Sequence, residues 1–185
     1  MFKSCPGVLP HAALAAKVLV VATLYLSIVD ITETCLRNDR RFAAEGDRLS
    51  LDDRTRLETL IRDAAIYFPG TAGFEDRRTV HNGGCLNRHP AVIVVPRSKE
   101  SVSDAIVAAQ SFGLEISVRS GGHSYICESI KDGGLHIDLR SLNKVSLDES
   151  TMRAILGPGS QWDRVLKIIL PSKYTMVHGG CASVG

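Results

Sequence analysis

The sequence predicts an α+β fold, and two observations carry that expectation. Residues 91–119 read as one strand-helix-strand unit, and residues 135–156 hold three short strands separated by turns. The composition agrees with a folded chain. Of 185 residues, 44% are hydrophobic and 23% charged, which argues against disorder, collagen and a multi-span membrane protein. At ~150 residues per domain the length allows one domain and a fraction. Lys+Arg of 22 against Asp+Glu of 20 leaves a formal +2, and no long run of like charge points to a nucleic-acid partner.

Residues 1–29 hold the sustained apolar stretch, with Lys3 and Lys17 ahead of Val18–Val29. That run is shorter than the ~20 residues a membrane span needs and fits the apolar region of a secretory signal. The alternatives are an uncleaved anchor that recruits Ala12–Ala16, or a buried helix, because no clean small-x-small cleavage site follows. The chain is therefore expected to be secreted or in the secretory pathway, touching a membrane only through such an anchor. In that oxidising setting Cys35 and Cys85, which flank the first helix and loop, are expected to pair.

Residues 30–86 read as linker, helix and loop. Thr32–Asp53 is polar and charge-rich. Leu57, Leu60, Ile61, Ala64, Ala65 and Phe68 then recur at helical spacing behind a Ser50-x-x-Asp53 cap, and Pro69-Gly70 stops the run. Residues 70–90 contain Gly70, Gly73, Gly83 and Gly84 without periodicity and read as an extended loop.

Ala91–Val95 is a continuous apolar run rich in β-branched residues, as expected of a strand covered on both faces, and Pro96 ends it. Ser98 caps a helix with Val102, Ala105, Ile106, Ala109 and Phe112 on one face, closed by Gly113. Glu115–Arg119 is the second strand of the unit, expected parallel to the first through a right-handed crossover. Leu135–Leu139, Lys144–Asp148 and Thr151–Leu156 follow as strands until Gly157-Pro-Gly159 breaks the pattern. Ser160 is expected to cap a helix carrying Trp162, Val165, Leu166 and Ile169, which Pro171 closes. Tyr174–Val177 reads as a last strand.

Two glycine-rich loops each carry a reactive side chain and each follow an expected strand: Arg119-Ser-Gly-Gly-His-Ser-Tyr125 and His178-Gly-Gly-Cys181. Adjacent glycines let backbone N–H groups approach an anion closely, and Ser120 and Ser124 add hydroxyl donors. The alternative is a tight turn with an exposed histidine. The Rossmann fingerprint is absent, because Gly157-Pro-Gly-Ser-Gln-Trp162 places Trp162 where a small residue is required. The five cysteines form no C-x-x-C pair, and the pairs Cys85/His89, His123/Cys127 and His178/Cys181 lack the recurrent spacing of a structural zinc site. Trp162 and Tyr125 read as core or rim aromatics, and Asp138 as a residue of the fold rather than a catalytic acid.

In combination, several segments resemble the FAD-linked oxidases of the berberine-bridge-enzyme type. They are Ala91–Ser98, Ile116–Tyr125, Asp132–Asn143, Gly157–Trp162 and Gly180–Gly185, in the family's order over about residues 87–185. The resemblance implies a PCMH-type FAD-binding domain made of two α/β subdomains, broken off here before the second is complete. It implies FAD with its pyrophosphate on Ser120, Gly121, Gly122, His123 and Ser124, and further cofactor contacts from Gly180, Cys181, Val184 and Gly185. It also implies a bond from His123 to the flavin 8α-methyl and, as in many members, one from Cys181 to carbon 6. Apart from the family, Cys181 also reads as an inert packing residue. Val184 lies near the position thought to govern oxygen access.

The activity so implied is hydride transfer from an alcohol, amine or sugar carbon of a small-molecule substrate to the flavin, with O2 as acceptor. The general base is expected beyond residue 185, and the isolated chain is expected to be inactive. The alternatives are a non-catalytic truncated fragment and a membrane-tethered module that binds another phosphorylated ligand. One departure concerns Ile126-Cys127-Glu128, which stands where the family places small residues, so that Cys127 is expected either to distort the loop or to face the flavin.

Overall fold

The structure is a computed structural model that describes residues 49–185; the expected signal or anchor at 1–29, Cys35 and most of the 32–53 linker lie outside the described residues. The first helix, α1, spans Leu51–Leu60, and the Ser50 side chain accepts from the Asp53 N–H at 3.1 Å at its N-terminus. The helix does not continue to Phe68 as its spacing predicts. Ile61 is already extended, Asp63 has φ 50°, and Ala64–Tyr67 forms strand β1. Ala64, Ala65 and Phe68 fit a helical stripe and a strand equally well. What decides between them is the edge of β2 (Val92–Pro96), which β1 covers in antiparallel register from Ala64 opposite Pro96 to Tyr67 opposite Ile93.

Residues 70–90 are less loop-like than expected, because a short helix α2 (Phe74–Arg78) and a 3-10 turn (Gly83–Cys85) lie within them. Strand β2 leads into α3 (Lys99–Ser111), capped by Ser98 and Ser101 in a reciprocal box, and then into β3 (Ile116–Arg119). Strand β4 (Leu135–Asp138) inserts between β2 and β3 and pairs in parallel with both, giving the order β1-β2-β4-β3. The strand-helix-strand unit is thus parallel as expected, but its two strands are not neighbours.

Alternation along the strands builds two different faces. On one, Val92, Val94, Leu135 and Ile137 meet Leu57 and Ile61 of the α1 end and Ala105, Ala108 and Ala109 of α3. Removing such aliphatic side chains from water contributes roughly 1.5–3 kcal/mol each and makes this the main core. On the other face Ile93 and Val95 pack under Phe74, while Ser117, Arg119, His136 and Asp138 are buried polar residues. This second, polar face lies beneath the chain segments of the candidate site.

Strands β5 (Val145–Asp148) and β6 (Arg153–Leu156) form a separate antiparallel hairpin, followed by α4 (Trp162–Ile169) with Val165 and Ile169 buried. Its N-terminus departs from expectation. Gln161, not Ser160, sits at the cap position and makes no side-chain bond. The carbonyls of Val184 and Ala182 instead accept from the Trp162 and Asp163 N–H groups at 3.0 and 2.9 Å, which satisfies two of the free donors at a helix start. The strand expected at Tyr174–Val177 is not formed. These residues carry no regular structure, Val177 is 98% exposed, and among the described residues no strand pairs with them.

Candidate functional site

Three segments converge beside the C-terminal ends of β3 and β4: the loop 120–125 that leaves β3, the segment 178–185, and the turn 81–85 before β2. The first two are the glycine-rich loops singled out in the sequence, and they lie against one another. A Cβ built on Gly121 would fall against the Ser183 carbonyl oxygen and 2.6 Å from the Gly185 nitrogen, so only glycine allows the segments to pass so closely. Gly122 has φ +77°, and a side chain there would also meet the Arg119 guanidinium, with Nε at 2.9 Å. Ser120 Oγ is buried without a hydrogen-bond partner and faces Gly185.

His123 is held from two sides. Its Nε2 is 2.8 Å from Ser183 Oγ, and its ring stacks on that of His81 with centroids 4.0 Å apart and an interplanar angle of 19°. Loss of solvation, followed by the neighbouring His81 and then Arg119, lowers its pKa from the ordinary 6.5, so that the neutral imidazole dominates at neutral pH. Cys181 is an exposed free thiol two residues before Ser183, and its carbonyl accepts from the Val184 N–H at 3.2 Å. The Val184 γ-methyl lies beside Gly179, next to Trp162. Ser124 does something else: its Oγ accepts from the Glu128 N–H at 3.0 Å and closes a turn. Nothing lies within 4 Å of a Cβ built on Gly180, which is open. Tyr125 is 86% exposed, in keeping with a rim position.

The disulfide expectation is corrected. Cys85 bonds to Cys127, across 42 residues, and not to Cys35. Cys127 therefore does not face the 120–125 loop as a free thiol, and its φ of 62° accommodates the chain as it turns toward Cys85. The bond also removes both sulfurs from the zinc pairings considered above. Val80 and Ile130 pack around it.

Beneath the loop lies a charged network that the sequence motifs did not reveal. Asp138, fully buried, accepts from Arg140 Nε and Nη2 at 2.9 and 2.8 Å and from Arg77 Nη1 at 3.2 Å. Burial alone would raise its carboxyl, but the Arg140 hydrogen bonds and charge, with help from Arg77, hold it below the ordinary value. Arg119 stands opposite Asp138 in the β3–β4 register, donates to the Arg77 carbonyl at 3.0 Å, and keeps a buried Nε without a partner. The network fixes the root of the 120–124 loop.

The residues present suit an anionic diphosphate with an attached ring. A partnerless hydroxyl at Ser120, a partnerless guanidinium nitrogen at Arg119 and the backbone of Gly121 and Gly122 place donors on one loop, whose glycine faces are closed by Ser183, Gly185 and Arg119. A neutral imidazole and an exposed thiol stand on the two segments that meet there.

Known proteins bear on this arrangement. The family described as FAD binding domain matches residues 90–185. Xylooligosaccharide oxidase of Thermothelomyces thermophilus is 31% identical over 144 residues, which is 75% of this chain and 27% of that protein. Among solved structures, berberine-bridge-enzyme-like 1 of Physcomitrella patens superposes with a TM-score of 0.67 at 27% identity, covering 72% of this chain and 29% of that one. Glucooligosaccharide oxidase of Acremonium strictum, solved in a study of its 6-S-cysteinyl, 8α-N1-histidyl FAD, gives 0.63 at 25% identity over 72% of this chain and 28% of that one. The chain spans about a quarter of the length of the curated relatives it matches. With this match across the glycine loops and a mixed α/β fold shared with PCMH-type oxidases, the chain belongs to the FAD-binding domain family of berberine-bridge-enzyme-like FAD-linked oxidases.

Proposed function

We propose that the protein holds FAD on the loop 120–123 together with the segment 181–185, and that it serves an oxidase acting on a small molecule. The observation that carries this reading is the convergence of the two glycine loops, with His123 Nε2 bonded to Ser183 Oγ two residues past Cys181. When bound, the flavin would accept a hydride from an alcohol, amine or sugar carbon and return the electrons to O2.

In this reading the chain's residues bind and orient. Ser120 Oγ, the Arg119 guanidinium and the amides of Gly121 and Gly122 receive the diphosphate. His123 and Cys181 are the covalent ligands, to the 8α-methyl carbon and to carbon 6. In the tautomer in which Nε2–H donates to Ser183 Oγ, Nδ1 carries the free lone pair and is the nucleophilic nitrogen. Each bond would replace one flavin C–H, at the 8α-methyl or at carbon 6: that hydrogen and the N–H of His123 or the S–H of Cys181 would leave as protons, and two electrons for each bond would pass to O2. No residue of this chain is assigned as the general base.

The test is made in the full-length protein supplied with FAD. Each single variant, His123→Ala or Cys181→Ala, keeps one covalent bond, and the double variant releases all flavin on acid precipitation. Wild-type protein that binds FAD yet yields no flavin-bearing His123 peptide refutes the histidine assignment. An unchanged spectrum and peptide mass in Cys181→Ala makes the thiol a packing residue.

The reading extends to the compartment. Export through residues 1–29, by a signal or an anchor, is supported by the Cys85–Cys127 disulfide, a bond that persists in oxidising compartments. A reporter fused to residues 1–40 is expected to enter the secretory pathway; cytosolic retention overturns this.

A further inference from the structure

His81 belongs to none of the motifs above, yet its ring covers a face of the His123 imidazole at 4.0 Å. It reaches that place through a laced pair of segments. The His81 N–H donates to the Gly122 carbonyl at 3.0 Å, Asn82 Nδ2 donates to the Tyr125 carbonyl at 2.9 Å, and Asn82 Oδ1 accepts from the Gly84 N–H at 3.0 Å. The disulfide from Cys85 to Cys127 then fastens the end of one segment to the end of the other. Cys85 is fully buried at that junction, packed with Val80 and Ile130. Between the two histidine-bearing loops there are thus two hydrogen bonds, one covalent bond and one ring stack, while His81 itself is exposed and contributes no buried side chain to the core.

We propose that His81 is a positioning residue for His123, that its stacked ring holds the imidazole in the orientation in which it takes the flavin, and that the Cys85–Cys127 disulfide keeps it there. The inference rests on the reading of His123 as a flavin ligand. Its physical basis is direct. A ring stacked at 4.0 Å and nearly parallel removes the swing of His123 about its side-chain bonds, and Ser183 fixes the remaining rotation through Nε2. Loss of solvation first, then the adjoining His81 ring and Arg119, disfavour a proton on His123. A loop histidine free of these restraints would lose orientation to side-chain entropy and would be more often protonated, and neither condition suits nucleophilic attack.

Three variants test this: His81→Ala, His81→Phe, and Cys85→Ser with Cys127→Ser. In the full chain, the ring protons of His123 carry the upfield shift that a stacked aromatic ring imposes. That shift is expected to vanish in His81→Ala and in the serine pair and to persist in His81→Phe. In the flavin-loaded gene product, the fraction of His123 peptide bearing flavin is expected to fall several-fold in His81→Ala and to recover in His81→Phe. The exposed His81 substitutions keep the disulfide, so the question survives even if the serine pair does not fold. Covalent flavin on His123 that is indifferent to His81→Ala overturns this inference alone. Wild-type protein with no flavin on His123 overturns the ligand reading and this inference together.

Discussion

Replacing Asp138 with asparagine changes little in volume and removes one charge from the centre of the buried network. The carboxylate accepts three short guanidinium contacts from Arg140 and one from Arg77, and it also accepts the Arg140 backbone N–H at 3.1 Å. Asparagine can keep the backbone bond through its oxygen, but its NH2 faces guanidinium donors and pairs with none of them. Breaking one partner out of a buried ion pair costs about 3–5 kcal/mol. The lower end applies here, because the Arg77 and Arg140 side chains are 30% and 26% exposed and can turn toward water. A loss of about 3 kcal/mol corresponds to a fall of roughly 10 °C in Tm for a domain of this size.

The consequence for the site follows from Arg119, which stands opposite Asp138 and leads into the 120–124 loop. With Asp138 neutral, the Arg119, Arg77 and Arg140 guanidiniums lose their buried carboxylate and keep only the more distant Asp76 as a nearby anion, and the root of the loop loosens. Thermal and urea unfolding followed by circular dichroism measures the stability, and flavin retained after ultrafiltration measures the site. Replacing the three residues together, Asp138→Leu with Arg77→Met and Arg140→Met, is expected to recover most of the stability, since apolar residues of like volume substitute well for buried ion pairs. A loss under 1 kcal/mol in Asp138→Asn would refute the reasoning, because it would mean that the guanidiniums are satisfied by water and the carboxylate anchors nothing.

Gly121→Ala places a methyl against Ser183 and Gly185, and it is expected to push the 183–185 segment off the loop and weaken FAD binding at least tenfold; unchanged affinity in a fluorescence titration overturns the close-approach argument. Serine at both Cys85 and Cys127 removes a link across 42 residues that the chain-entropy treatment values at about 4 kcal/mol, and a peptide map without reductant should contain the Cys85–Cys127 pair; a Cys35–Cys85 peptide would contradict the structure. His136 is lowered to about 4, chiefly by burial, with Arg119 and Arg140 acting the same way and Asp138 opposing. Because the folded state favours the neutral ring, the associated stability is full above the unfolded value near 6.5 and is lost as pH falls from there toward 4, by up to about 3 kcal/mol at roughly 1.4 kcal/mol per pH unit. His136→Leu should flatten that part of the pH–stability curve, and a His136 ring signal titrating near 6.5 by NMR would sink the assignment.

What the sequence made legible is what repeats locally. Val92–Val95 is apolar at every position and is buried on both faces, and α3 presents Ala105, Ala108 and Ala109 at helical spacing behind its Ser98 cap. The ends of elements were less legible, because they are decided by partners distant in sequence. Ala64–Tyr67 left the helix to cover the β2 edge, and the carbonyls of Ala182 and Val184 took over the role expected of Ser160. Cys85 and Cys127 likewise found each other across 42 residues, a choice that spacing does not specify among the fifteen pairings open to four of five cysteines.

The polar face of the sheet was the hardest part to read, and for a physical reason. Ile116-Ser-Val-Arg119 and Leu135-His-Ile-Asp138 alternate apolar and polar residues, which is the pattern of strands with one wet face. Yet Ser117, Arg119, His136 and Asp138 are all buried. Such a face can be covered only if its charges are compensated, and the compensation comes from Arg140, two residues on in the 132–143 segment, and from Arg77 on α2, which is 61 residues from Asp138 and stands in no motif with it. The glycine loop grows out of this compensated face. Its geometry at Gly121 and Gly122 therefore depends on an ion network one layer below, as well as on the glycines that made the loop visible in the sequence.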